Sequence, residues 1–152
     1  MSEFQPLDPL FAERVRASFR RQRVMETIGA ELVVVEPGHC EIELPYRADL
    51  TQQHGFLHAG IATAIGDSAG GYASFSLMPA GSAVLAVEFK VNLLSPAQGE
   101  RFRAVGRVKR PGKRLTVAAF DVLAIDAQGG EKVVLTGLQT VICLPDSEGR
   151  SG

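Results

Sequence analysis

The chain has 152 residues, 45% of them hydrophobic and 22% charged, with a formal net charge of −1. That length fits one globular domain over residues 1–152 burying about two thirds of its unfolded surface, with a helical segment at 1–28 and a flexible tail at 146–152. The near-zero charge gives no pull toward nucleic acid or a membrane; lacking a basic-then-apolar leader or a span-length apolar run, the chain is expected in the cytoplasm.

Asp8-Pro9 reads as a cap followed by proline at the first helical position, and Leu10, Phe11, Val15 and Phe19 recur at amphipathic spacing, predicting a helix over 9–22. Its other face carries Arg14, Arg16, Arg20 and Arg21, read as a solvated basic face, with contact of one or two of them to an anionic ligand as the alternative. Residues 31–35 are strand-like, Pro37-Gly38 is a turn, and Cys40-Glu41-Ile42-Glu43-Leu44 alternates with period two. The result is a hairpin with one apolar and one acidic face, and residues 46–51 form the loop that follows. Cys40 and Cys143, each inside a strand-like segment, read as buried free thiols. The three histidines lack zinc-type spacing, so no metal is expected.

Residues 52–75 predict one helix, the element around which the rest is organised. Gly60, Gly66, Gly70 and Gly71 each cost about 1 kcal/mol relative to Ala in a helix interior, so burial must hold it. Ile61, Ile65, Ser68, Tyr72 and Phe75 form one stripe at helical spacing; the neighbouring stripe is Gly60, Ala64, Asp67, Gly71 and Ser74. Asp67, the lone acid, is thus flanked by residues with almost no side chain, which leaves space beside a carboxylate. An ionised acid in an apolar helix is costly unless paired or used, which makes Asp67 the leading catalytic candidate. The alternative is a capping or surface Asp, but a cap belongs at a helix start and Asp67 lies more than two turns in.

Near the start of that helix, Gly55 and Gly60 bracket His58, and the first backbone N–H groups have no partner within the helix. They carry partial positive charge and can polarise a carbonyl. Ala59 and Asp67 are separated by about 12 Å of helix rise, so one copy of the helix cannot bring both to one bond. If both act, they meet across a dimer.

Met78-Pro79-Ala80-Gly81 ends the helix, and a long strand over 82–94 follows, with Leu85, Val87, Phe89, Val91 and Leu93 on one face. Residues 100–109 alternate, Pro111-Gly112 turns the chain, and 115–125 is apolar on both faces apart from Asp121. After Gln128-Gly129-Gly130, a last strand covers 133–144. Strands apolar on both faces are covered on both, and with one long helix available the second cover is expected to be another subunit. The predicted class is α+β, an antiparallel sheet wrapping a long central helix.

The element order, His54-Gly55-x-x-His58-x-Gly60, Asp67 nine residues after His58, and Val91-Asn92-Leu93-Leu94-Ser95-Pro96-Ala97 together resemble the hotdog fold. Within it the chain is similar to the phenylacetate-pathway (PaaI-like) acyl-CoA thioesterases related to 4-hydroxybenzoyl-CoA thioesterase. The resemblance spans residues 29–145. It implies hydrolysis of an acyl-CoA thioester, with the acid at Asp67 as general base or nucleophile and the N–H at Ala59, beside Gly60, polarising the carbonyl. It further implies an amide contribution from Gln52 or Gln53, with Gln52 preferred. Two departures stand out: the usual His-Gly-Gly is His58-Ala59-Gly60, and the strand hydroxyl of some relatives is matched near Leu85 or Ala86, which have none.

His58 is expected to fix the loop by local hydrogen bonding ahead of touching substrate, His54 to be structural, and Ser68, outside any G-x-S-x-G, not to be a nucleophile. Lys109, Arg110, Lys113 and Arg114 gather around one turn, which reads either as a soluble hairpin tip or as a site for coenzyme A phosphates. No cofactor beyond coenzyme A as part of the substrate is expected, and the partners expected are an acyl-CoA and further copies of the chain, as a dimer or dimer of dimers. Two other readings are a 3-hydroxyacyl dehydratase and a non-catalytic acyl-CoA-binding module.

Overall fold

A computed structural model describes residues 3–145, so the tail expected at 146–152 lies outside the described residues. Six strands, β1 (Glu31–Glu36), β2 (His39–Pro45), β3 (Ala83–Leu93), β4 (Arg101–Arg110), β5 (Leu115–Ile125) and β6 (Glu131–Leu144), form one sheet in the order β1-β2-β4-β5-β6-β3. Every neighbouring pair is antiparallel. The long helix α3 (Ala59–Phe75) lies across its inner face, and α1 (Phe11–Arg21) and α2 (Arg23–Ile28) precede the sheet.

Alternation decides which residues meet the helix. Ile42 on β2, Phe102 and Ala104 on β4, and Ala118, Phe120 and Val122 on β5 share the inner face and are buried. Glu41, Glu43, Arg103, Arg107 and Asp121 fall on the opposite phase, facing outward. The helix can approach closely because its sheet-facing side is made of small residues. A Cβ at Gly66 would overlap the Phe120 ring, one at Gly70 the Gln139 side chain, and one at Gly106 of β4 the α3 backbone at Ala69. The glycines that weaken the helix in isolation are therefore what lets it dock, and tertiary packing outweighs propensity.

The helix is shorter than expected, because residues 52–58 form a loop. Gly55 has φ +82°, the Gln52 N–H donates to Phe56 O at 2.9 Å, and His58 is extended at φ −60°, ψ 134°. A left-handed glycine followed by an extended residue cannot continue a helix, and the 52–55 run has no apolar stripe to recruit one.

The first helix begins two residues later than expected, at Phe11, so its cap position is Leu10 and not Asp8; the Asp8 Oδ1 instead accepts from the Leu10 N–H at 2.9 Å in the turn before the helix. Arg14 leaves the solvated basic face predicted for it. Its Nε donates to Asp8 Oδ2 at 2.8 Å, its Nη2 to Met78 O at 2.8 Å just beyond the end of α3, and its guanidinium lies 4.2 Å from the Phe75 ring centre. A cation over the last carbonyls of a helix region is favourable, and Arg14 thereby ties α1 to the far end of α3. Replacing it with Met leaves Asp8 and Met78 O without that donor. Arg14→Met is expected to lower unfolding stability by about 1–3 kcal/mol, measured by urea titration.

Strand β3 departs from the face predicted for it. The register shifts between Ala86 and Glu88, so Val84 and Ala86 lie opposite the inward Cys143 and Val141, while Phe89, Val91 and Leu93 lie opposite the inward Gln139, Gly137 and Leu135. Leu85 is opposite Ile142 and faces outward. A bulge reverses the alternation, which a period-two reading of Leu85 to Leu93 has no way to register. β3 is also an edge of the sheet, eleven residues long, and exposes Leu85, Val87, Phe89 and Leu93. A long apolar edge strand of this kind is a template for pairing with another chain.

Candidate active site

Asp67 stands on the least-buried side of α3, together with Gly60, Thr63, Ala64 and Gly71, and is itself half-buried. A Cβ at Gly71 would meet nothing within 4 Å, so the space expected beside the carboxylate is present. It opens into a cavity of about 200 Å³ whose walls include Ser18, Gln22, Tyr72, Ala86 and Gln139. Burial holds the Asp67 carboxyl above its ordinary range, against the opposing effect of a hydrogen bond from Gln139. That bond runs from Gln139 Nε2 to Asp67 Oδ1 at 2.9 Å.

The polar groups of the cavity wall are tied to one another. Tyr72 and Ser18 hydroxyls are 3.2 Å apart, and Ser68 Oγ donates to Gln22 Oε1 at 3.2 Å. Ser68 thus links α3 to the α1–α2 junction and has no base beside it, as expected of a structural serine. Cys40 is fully buried, and burial pushes its thiol far up, so it is not a nucleophile. Among the described residues, no group of three His, Cys, Asp or Glu side chains could hold a metal.

At the other end of the site, His58 caps α3: its Nδ1 accepts from the Gly60 N–H at 2.8 Å, and its carbonyl accepts from Ile61 and Ala62 at 2.9 and 3.1 Å. The His58 N–H in turn donates to Leu50 O at 3.0 Å, which anchors the loop. Of the first four N–H groups of the helix, those of Gly60, Ile61 and Ala62 are therefore taken. The N–H of Ala59 has no acceptor among the described residues and is the one left for a ligand.

Ala59 and Gln52 both line a cavity of about 490 Å³ with Leu93, Pro96 and Leu135. Gln52 Oε1 accepts from the His54 N–H at 2.5 Å, so its amide nitrogen is the group left to donate; Gln53 is exposed and does not line this cavity. His54 is exposed in the loop. Lys109, Arg110, Lys113 and Arg114 are exposed around the β4–β5 turn, at the Leu85 end of the sheet and away from Ala59.

A sequence profile for the thioesterase superfamily matches residues 54–131, just over half the chain. The chain belongs to that superfamily. The thioesterase is 27% identical over 128 residues to a Saccharolobus solfataricus protein described as a candidate esterase, covering 84% of this chain and 89% of the relative. A second such S. solfataricus protein is 32% identical over 117 residues, with 77% and 76% covered. Among solved structures, a thioesterase family protein from Silicibacter pomeroyi superposes with a TM-score of 0.87 at 50% identity, over 89% of this chain and 98% of that one. The E. coli PaaI protein of the phenylacetic acid degradation operon superposes with a TM-score of 0.77 at 19% identity, over 90% and 94%, and shares the fold. The thioesterase has the hotdog fold and is a hydrolase.

Two features of the site went unread in the sequence. Gln139 is one: it interrupts the inward row Leu135, Gly137, Gln139, Val141, Cys143 of β6 with a fully buried polar side chain. A polar residue in the apolar phase of a strand was the available signal. The other is the wall formed by Ser18, Gln22 and Tyr72, which depends on where α1 docks.

Proposed function

We propose that this thioesterase hydrolyses acyl-CoA thioesters to free acid and CoA in a site shared by two copies of the chain. The observation that carries the reading is the pairing, on one helix, of an unengaged N–H at Ala59 with a half-buried carboxylate eight residues on. The two open on opposite ends of the apolar edge strand: Ala59 beside Leu93, Asp67 beside Leu85 and Ala86. If β3 pairs antiparallel with β3 of a second copy about a two-fold axis, the Leu93 end of one strand lies beside the Leu85 end of the other. The helix start of one subunit then faces Asp67 of its partner, twice per dimer.

In that site the thioester carbonyl accepts from the Ala59 N–H, assisted by the Gln52 amide nitrogen. The donor strengthens as negative charge builds on the oxygen, so it stabilises the tetrahedral transition state more than the ground state. Asp67 takes a proton from water as the water attacks the carbonyl carbon. The C–S bond then breaks, and the proton passes to the departing CoA thiolate. On the covalent route Asp67 attacks instead and water opens the resulting anhydride; a single turnover in ¹⁸O water labels Asp67 only on that route.

Coenzyme A brings phosphates that must lie outside the acyl cavity, and the exposed cations at 109–114 are at the Leu85 end of the sheet, the end at which the Asp67 cavity opens. Lys113→Ala with Arg114→Ala is expected to raise KM for a CoA thioester and leave KM for a short thiol ester of the same acid unchanged. An unchanged KM for the CoA ester, with folding intact, removes the turn from the site.

Thiol release over a panel of aromatic, short branched and medium-chain CoA thioesters tests the reading. Release of free thiol supports hydrolysis. Loss of water from a 3-hydroxyacyl thioester with the thioester intact would establish a dehydratase, and tight binding without turnover a binding module.

A further inference from the structure

We propose that Gln139 is a positioning residue for Asp67: its carboxamide ties down one carboxylate oxygen and so fixes the direction in which the other faces water. The inference rests on Asp67 being the base or nucleophile proposed above.

Gln139 is fully buried on the inner face of β6, opposite Phe89 on β3 and Ala118 on β5, where the neighbouring inward positions are Gly137 and Val141. Its Nε2 donates to Asp67 Oδ1, while its Oε1 is buried with no hydrogen-bond partner among the described residues. An unpaired buried acceptor costs about 1–3 kcal/mol, and an apolar side chain of the same length would avoid it. Packing therefore does not account for a glutamine here. An ionised carboxylate only accepts, so the amide must present its N–H to Asp67 and its oxygen to the opposite side. That side is Gly70, the position one turn beyond Asp67, where any Cβ would overlap Oε1. Gly70 thus makes room for the amide in the orientation that suits a charged Asp67.

Among the described residues, no other charged side chain lines the Asp67 cavity. Among the described residues that share its cavity, the other titratable group is Tyr72, which is bonded to Ser18 and feels Arg21 of α1. The inner faces of β2 and β6 contribute the thiols Cys40 and Cys143. Glu88 and Lys90 of β3, Arg103 and Arg107 of β4 and Asp121 of β5 are on the outer face, Glu88 paired with Thr140 and Asp121 with Thr136. Among the described residues, the polar side chain hydrogen-bonded to the carboxylate is Gln139, and it favours the charged form that a general base requires.

The test uses Gln139→Met, which keeps length and removes both polar atoms, and Gly70→Ala, which keeps the glutamine and displaces its amide. In each, the Asp67 carboxyl carbon, followed by ¹³C NMR in the intact protein without substrate, is expected to titrate at higher pH than in the parent. The acid limb of kcat is expected to move up with it, with kcat at neutral pH falling about tenfold or more and KM little changed. Gly70→Ala carries the test if Gln139→Met does not fold, because the new Cβ meets first the far end of the flexible Gln139 side chain, which can give way. An Asp67 titration that stays where it is in a folded variant overturns the inference, as does a titration that moves while kcat above the acid limb stays at the parental value. Failure of the underlying reading has a different signature: the titration moves, but Asp67→Asn retains the parental rate.

Discussion

Asp67→Asn is expected to lose at least about a hundredfold in kcat on any thioester the parent hydrolyses, and at the same time to unfold at a higher temperature than the parent at neutral pH. The first effect is the loss of a general base from a site that otherwise keeps its shape. Asparagine can still accept from Gln139 through its side-chain oxygen, so the contact to β6 survives. The second effect follows from where the carboxyl sits. Burial raises it above its ordinary value of 3.8 in the folded protein, so between that value and the raised one the native state holds more protons than the unfolded chain. Stability then falls as pH rises through that window, and the cost of burying the charge is fully present at neutral pH. Asparagine has no charge to bury. Its advantage in a thermal melt is expected to shrink as pH falls and to vanish below the ordinary carboxylate range. A variant that stays active, or one whose stability difference is independent of pH, would remove Asp67 from the role given to it.

That the acid could be found from sequence has a simple physical basis. Asp67 is the single charge in a helix of Gly, Ala and Ile, and its helical neighbours are too small to cover it, so both its cost and its open surroundings are local properties of residues 60–75. The order of elements was legible for the same reason: period two and period 3.6 are carried within each segment. Partners brought in from far along the chain were not. Gln139 is 72 residues from Asp67, and its inward direction follows only from the register of β6 against β3 and β5. The β3 bulge divides a row that reads as continuous from Leu85 to Leu93. Arg14 looks like its neighbours Arg16 and Arg20, and only the docking of α1 beside Met78 distinguishes it. Residues 52–58 read as helix in the sequence because only the cap that the His58 ring makes to the Gly60 N–H marks the true start at Ala59. The same cap explains why Gly60 is a poor choice for a carbonyl donor: its N–H already belongs to the His58 ring.

Ala59→Pro is the substitution that isolates the remaining donor. Ala59 is the first residue of α3, the one helical position where proline is at home, and His58 already has the extended backbone that a following proline demands. The change therefore deletes one N–H while leaving the helix in place, and the deleted N–H is the one of the first turn with no acceptor among the described residues. Removing a single donor of this kind is expected to lower kcat by about 10²–10³, or roughly 3–4 kcal/mol of transition-state stabilisation, with the melting temperature close to the parent's. Alone this shows only that the group matters. Mixed with Asp67→Asn under conditions where subunits exchange, it tests how the site is assembled. In a hybrid dimer one site would combine both defects and the other neither, so a one-to-one mixture of two nearly inactive proteins should recover about a quarter of the parental activity. If Ala59 and Asp67 instead served the same site from within one subunit, every site in the mixture would carry one defect, and activity would stay at the level of the separate variants however long the subunits exchange.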